Sequence, residues 1–122
     1  MKMHPYARTG FARAWNAIFY SLDGLSAAFR HEEAFRLEVL LALILIPIAI
    51  HLPASGTGKA LMVASVVLVL VVELLNSGIE AVTDRISLED HILAKRAKDM
   101  GSAAVMLALL DVPAVWLLVL LG

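Results

Sequence analysis

ALMVASVVLVLVV (residues 60–72) runs without a break into ELLNSGIEAVTDR (residues 73–85). The first half has the composition of a membrane-spanning helix. The second half keeps the apolar background but adds Glu73, Asn76, Glu80 and Asp84. At about 100° per residue these four side chains fall at roughly 0°, 300°, 340° and 20°, a single narrow face. A charged side chain near the bilayer centre costs on the order of 2.5–3.5 kcal/mol even on lenient insertion scales. Several such groups on one stripe therefore point to a site, the alternative being a polar seam that glues helices together.

Around this stretch the chain is short and oily. It has 122 residues, 61% of them hydrophobic, and a formal net charge of −1. That is too apolar for an ordinary soluble domain and too charged for a purely structural membrane plug, and no nucleic-acid partner is expected. The absence of cysteine excludes disulfides and thiolate metal sites. His4, Pro5, Arg8 and Arg13 interrupt the N-terminus, which does not read as a signal peptide.

Three segments can cross a bilayer, at about 37–52, 60–82 and 100–121. The first is short, carries Glu38 near its start and Pro47 within, and needs Arg36 and Glu38 to reach the headgroups. The third holds Asp111 and Pro113. Upstream, Phe11, Trp15, Ile18, Phe19, Leu22, Leu25 and Phe29 recur at helical spacing on one face, which predicts an amphipathic interfacial helix over about 10–32. The fold class is thus an all-α membrane protein with three transmembrane helices and a surface helix. Of the ten basic residues, five (Lys2, Arg8, Arg13, Arg30, Arg36) precede the first span. Four more (Arg85, Lys95, Arg96, Lys98) lie between the second and third spans, leaving Lys59 alone in the first loop. The positive-inside rule then puts the N-terminus in the cytoplasm and the C-terminus outside.

The polar stripe continues beyond the membrane. Glu73 lies deepest, Glu80 about 10 Å nearer the cytosol at ~1.5 Å per residue, and Asp84 at the exit. Lys98 and Ser102, four apart, can face the same cleft from the third helix. Acid, amide, base and hydroxyl at graded depth suit a substrate with one end in lipid and the other in water. Gly56-Thr57-Gly58-Lys59 is not a phosphate-binding loop, because Pro53 stands where such a loop needs glycine and Ala60 follows the lysine; it reads as a turn. The four histidines show no metal-ligand spacing.

The stretch from Glu73 through Asn76, Glu80, Asp84 and Arg85, followed by Arg96-Ala97-Lys98-Asp99-Met100-Gly101-Ser102-Ala103-Ala104-Val105, resembles the bacterial integral-membrane diacylglycerol kinases. Gly24 to Phe29, Glu32 and Ala34 to Glu38 match the same family upstream, so the resemblance covers about Gly10 to Leu110. It implies that residues 1–122 form a single diacylglycerol kinase domain. It further implies a homotrimer with shared active sites in the bacterial inner membrane, passing the γ-phosphate of ATP to diacylglycerol to give phosphatidic acid. By the same resemblance Glu73 is the catalytic base and Glu32 and Glu80 are the Mg²⁺ ligands, with Asn76 and Asp84 supporting. Arg13, Tyr20, Glu32, Glu80, Glu89, His91, Lys98 and Asp99 are implied to contact ATP, and Arg13, Glu38, Glu73 and Ser102 the lipid. The segment Leu88 to Ala94 departs from the pattern, with Asp90 at a position often aromatic. An undecaprenol kinase shares the carboxylate pattern. A small proton-coupled transporter is the alternative from another class, and a structural assembly partner a third.

Overall fold

A computed structural model describes residues 9–86 and 92–122. Its first helix, α1 (Gly10–His31), starts where Thr9, in extended backbone, accepts the Ala12 N–H on its hydroxyl at 3.2 Å. This N-cap satisfies a donor that the helix itself cannot pair. Phe11, Trp15, Ile18, Leu22, Leu25 and Phe29 all stay exposed, as an interfacial helix requires, and Trp15 meets Phe19 edge-on with ring centroids 5.5 Å apart. The helix stops at Glu32, which is extended, and α2 (Glu33–His51) begins at the next residue. Charge does not stop a helix whose backbone bonds are made locally, so α2 begins four residues before the apolar run. Its 19 residues span about 28 Å, close to the ~30 Å hydrocarbon core. Pro47 sits inside it, and the Pro47 carbonyl is 2.8 Å from His51 Nδ1.

Helices α3 (Gly56–Ile86) and α4 (Ile92–Leu121) have 31 and 30 residues. At ~1.5 Å per residue each is some 45 Å long, so several turns project past the hydrocarbon core. α2, α3 and α4 are each long and apolar enough to cross a membrane. The Gly56–Lys59 segment, expected as a turn, is instead the first turn of α3. Ser55 caps it, accepting the Gly58 N–H on its side chain at 3.0 Å and the Lys59 N–H on its carbonyl at 2.8 Å.

α3 is the hub. It touches all three other helices and packs most extensively on α4. Met62, Ser65, Val66, Val69, Glu73 and Asn76 form its buried face at three- and four-residue spacing. Towards one end, Trp116 Nε1 donates to the Met62 carbonyl and to Ser65 Oγ, both at 3.2 Å, while Ser65 Oγ donates to the same carbonyl at 2.7 Å. Among the described residues the buried apolar set includes Ala28, Ala42, Ala49 and Ala108. Small residues let helix backbones approach where lipid removes the usual hydrophobic drive. Gly58 serves the same end: a Cβ there would lie 2.7 Å from Val119 Cγ1.

Candidate active site

Glu73 is 6% exposed and Asn76 9%. Both sit on the inner face of α3, one turn apart, where α2 and α4 close over them. The carboxyl group of Glu38, on α2, meets that of Glu73 within hydrogen-bonding reach, and the Asn76 amide is a hydrogen-bonding partner of Glu73 from its own helix. With the Asn76 N–H directed at Glu73, its Oδ1 is buried without a partner, as is Oε1 of Glu38. Helix α4 passes this point at Gly101, where a Cβ would run into the Asn76 side chain. Glycine in the interior of a helix costs roughly 0.5–1 kcal/mol relative to alanine. Here it makes room for the Asn76 side chain beside the deepest carboxylate.

Glu32 and Glu80 are both half-buried and both act electrostatically on Glu73. Glu32 comes from the break between α1 and α2, Glu80 from two turns along α3. Further out, Asp84 receives the Lys98 ammonium at 2.8 Å, bridging α3 to α4, and Lys98 also feels Glu80. Lys95 pairs with Asp99 at 2.7 Å along α4. The neighbours Lys98 and Asp99 therefore engage different partners. Among the described residues no group of three or more acidic or histidine side chains gathers to hold a metal alone. Two carboxylates, with phosphate oxygens and water completing the shell, remain a donor set that suits Mg²⁺.

Two recesses flank the cluster. A cleft of about 760 Å³ between α1 and α3 is lined by Gly24, Ala28, Glu32, Ser77 and Gly78 among others. An apolar crevice of about 170 Å³ between α2, α3 and α4 runs from Glu38 past Leu41 and Val69 to Pro113. Ser102 is exposed on α4 beside Gly101, and Asp111 is half-buried. Arg13 and Tyr20 are exposed on α1, and their side chains make no hydrogen bond or ion pair among the described residues. Arg13 lies some five turns before Glu32. Glu89, His91 and Asp90 lie outside the described residues.

Helices α2 and α4 bury Glu73 and Asn76, whereas Glu80 and Asp111 stay half-buried. Two features differ from what the sequence suggests. Glu38, read as lining the lipid side, also faces Glu73 directly. Arg36, read as reaching for headgroups, turns back onto α1, donating from Nη1 to the carbonyls of Phe29 and Arg30 at 2.8 and 3.0 Å. The Gly101 contact is one that a glycine inside an otherwise helical run could have pointed to. The Glu38 and Arg36 contacts depend on how two helices turn relative to each other, which periodicity along one helix does not reveal.

Fold and site together define a helical membrane protein with a carboxylate cluster set into one end of its bundle. The chain belongs to the prokaryotic diacylglycerol kinase family, whose sequence profile matches residues 19–120, and is thereby a lipid kinase. It is 55% identical to the diacylglycerol kinase of Pseudomonas aeruginosa over 123 residues, covering 100% of both chains. It is 50% identical to that of Haemophilus influenzae over 111 residues, 91% of this chain and 94% of the relative. Identity to the Escherichia coli K12 diacylglycerol kinase is 47% over 112 residues, 92% of each chain.

Proposed function

We propose that residues 1–122 act as one catalytic domain that transfers the γ-phosphate of ATP to the hydroxyl of diacylglycerol, giving phosphatidic acid and ADP. The observation that carries this reading is the position of Glu73, buried among apolar helices with Glu32, Glu38, Asn76 and Glu80 around it. Glu73 takes the proton of the lipid hydroxyl as its oxygen bonds to the γ-phosphorus and the bond from that phosphorus to the bridging oxygen of ADP breaks. A positioned base of this kind contributes about 10²–10⁴-fold. Asn76 holds the Glu73 carboxylate in place. Glu38 and Ser102 line the lipid side, with Arg13 reaching both lipid and nucleotide.

Phosphoryl transfer needs positioning and charge neutralisation more than covalent chemistry. Mg²⁺, when bound, supplies that neutralisation, and Glu32 and Glu80 are the carboxylates that would hold it. Lys98, drawn from Asp84, would turn to phosphate oxygens, and Tyr20, Glu89, His91 and Asp99 would complete the nucleotide contacts. The basic residues favour a cytoplasmic N-terminus and α3–α4 connection and an external C-terminus, which puts this end of the bundle where ATP is. Residence in the bacterial inner membrane, as a homotrimer whose subunits share active sites, follows from the family resemblance.

The test is an assay of purified protein with ATP, Mg²⁺ and mixed micelles carrying either short-chain diacylglycerol or undecaprenol. Phosphatidic acid formed one-for-one with ADP supports the reading. Faster phosphorylation of undecaprenol, or ADP release without lipid phosphate, overturns it.

A further inference from the structure

The break at Glu32 has to be held open by something. Helix α1 ends with four carbonyls that no further turn can satisfy, and the residues that follow include no glycine to form a left-handed cap. The Glu32 N–H donates to the Ala28 carbonyl at 2.9 Å. The next two carbonyls, of Phe29 and Arg30, both accept from Arg36 Nη1, at 2.8 and 3.0 Å. Arg36 belongs to the first turn of α2, and its own N–H donates to the Glu32 carbonyl at 3.2 Å. One residue thus closes the end of α1 with its side chain and opens α2 with its backbone, with Glu32 caught between at φ −115°, ψ 108°. A guanidinium also suits the negative end of a helix dipole.

We propose that Arg36 is a positioning residue for Glu32, fixing the angle between α1 and α2 so that the Glu32 carboxylate is held toward Glu73 and Glu80. The proposal rests on the reading of Glu32 as a carboxylate that holds Mg²⁺. Without the Arg36 clamp the last turn of α1 frays, Glu32 samples many directions, and the metal is held less often while the chemistry at Glu73 stays intact.

The experiment compares wild type with Arg36→Met, which keeps the stem and removes the donors, with Arg36→Lys, and with Glu32→Gln. The Mg²⁺ midpoint and the kcat at saturating Mg²⁺ are measured in mixed micelles. Amide hydrogen exchange of residues 28–36 is measured on the same proteins without metal or nucleotide. Arg36→Met is expected to raise both the Mg²⁺ midpoint and the exchange rate about two- to fivefold, the scale of a lost charge at a helix end. Its saturating kcat is retained, and Arg36→Lys restores most of both effects. If Glu32→Gln raises the midpoint and Arg36→Met does not, the positioning role is refuted. So it is if Arg36→Met lowers kcat at every Mg²⁺ concentration with the midpoint unmoved. If Glu32→Gln leaves the midpoint unmoved, the metal-holding reading of Glu32 fails and the proposal falls with it. Arg36→Gln, with a shorter and uncharged amide in place of the guanidinium, carries the same test if Arg36→Met is not recovered folded.

Discussion

Replacing Gly101 by alanine adds one methyl group at the point where α4 crosses the Asn76 side chain. Two opposed terms act on stability. Alanine is the better helix former by about 0.8–1.0 kcal/mol, whereas forcing a methyl into a filled contact costs about 1–3 kcal/mol. The net destabilisation is therefore only about 0–2 kcal/mol. The effect on activity is larger. The new methyl lies on Asn76 Oδ1, so the amide must rotate or withdraw, and its N–H leaves Glu73. A hydrogen bond to a charged group is worth about 1.5–3 kcal/mol; if it acts in the transition state, its loss lowers kcat roughly ten- to hundredfold, at ~1.4 kcal/mol per tenfold. The assay is kcat at saturating ATP, Mg²⁺ and short-chain diacylglycerol, with thermal inactivation measured alongside. The decisive comparison is the cycle with Asn76→Ala, which clears the space. In that background Gly101→Ala should change kcat by no more than about twofold. A tenfold loss in both backgrounds, or none in the wild-type background, would refute the argument that Gly101 acts through Asn76.

Glu73→Gln keeps the shape but removes the proposed base, and is expected to lower turnover at least about 10²-fold while nucleotide binding is unchanged by equilibrium titration. Glu80→Gln should instead shift the Mg²⁺ requirement upward, read as the midpoint of an activity titration. Trp116→Phe deletes the donor shared by the Met62 carbonyl and Ser65 Oγ. About 0.5–1.5 kcal/mol of stability should go with it, visible as faster inactivation on heating. Asp84→Asn frees Lys98 from its partner on α3, and should lower the KM for ATP at low ionic strength, with the difference vanishing in high salt as screening removes the charge effect.

How much of this was legible beforehand depends on which interaction sets each feature. The helices and their order were readable because hydropathy and backbone hydrogen bonding act locally: an apolar run such as 60–72 has no other way to satisfy its amides in lipid. The shared face of Glu73, Asn76 and Glu80 was equally legible, since it follows from 3.6 residues per turn. The helix ends were less so. Bilayer thickness limits the apolar run, but α3 and α4 continue as helices into charged sequence, and Gly56–Lys59 joins α3 because Ser55 offers a cap. What stayed hidden is contact between helices. Glu38 carries no mark in the sequence that pairs it with Glu73, thirty-five positions away, because that pairing is set by how α2 rotates against α3. The same rotation turns the apolar crevice below Glu38 toward α4 at Pro113. A carboxyl group that looks from sequence like an interfacial residue is therefore the point where the polar stripe of α3 and an apolar crevice meet. On the proposed reading that juxtaposition, rather than the acidity of α3 alone, would let one short chain bring an oily alcohol up to a charged phosphate.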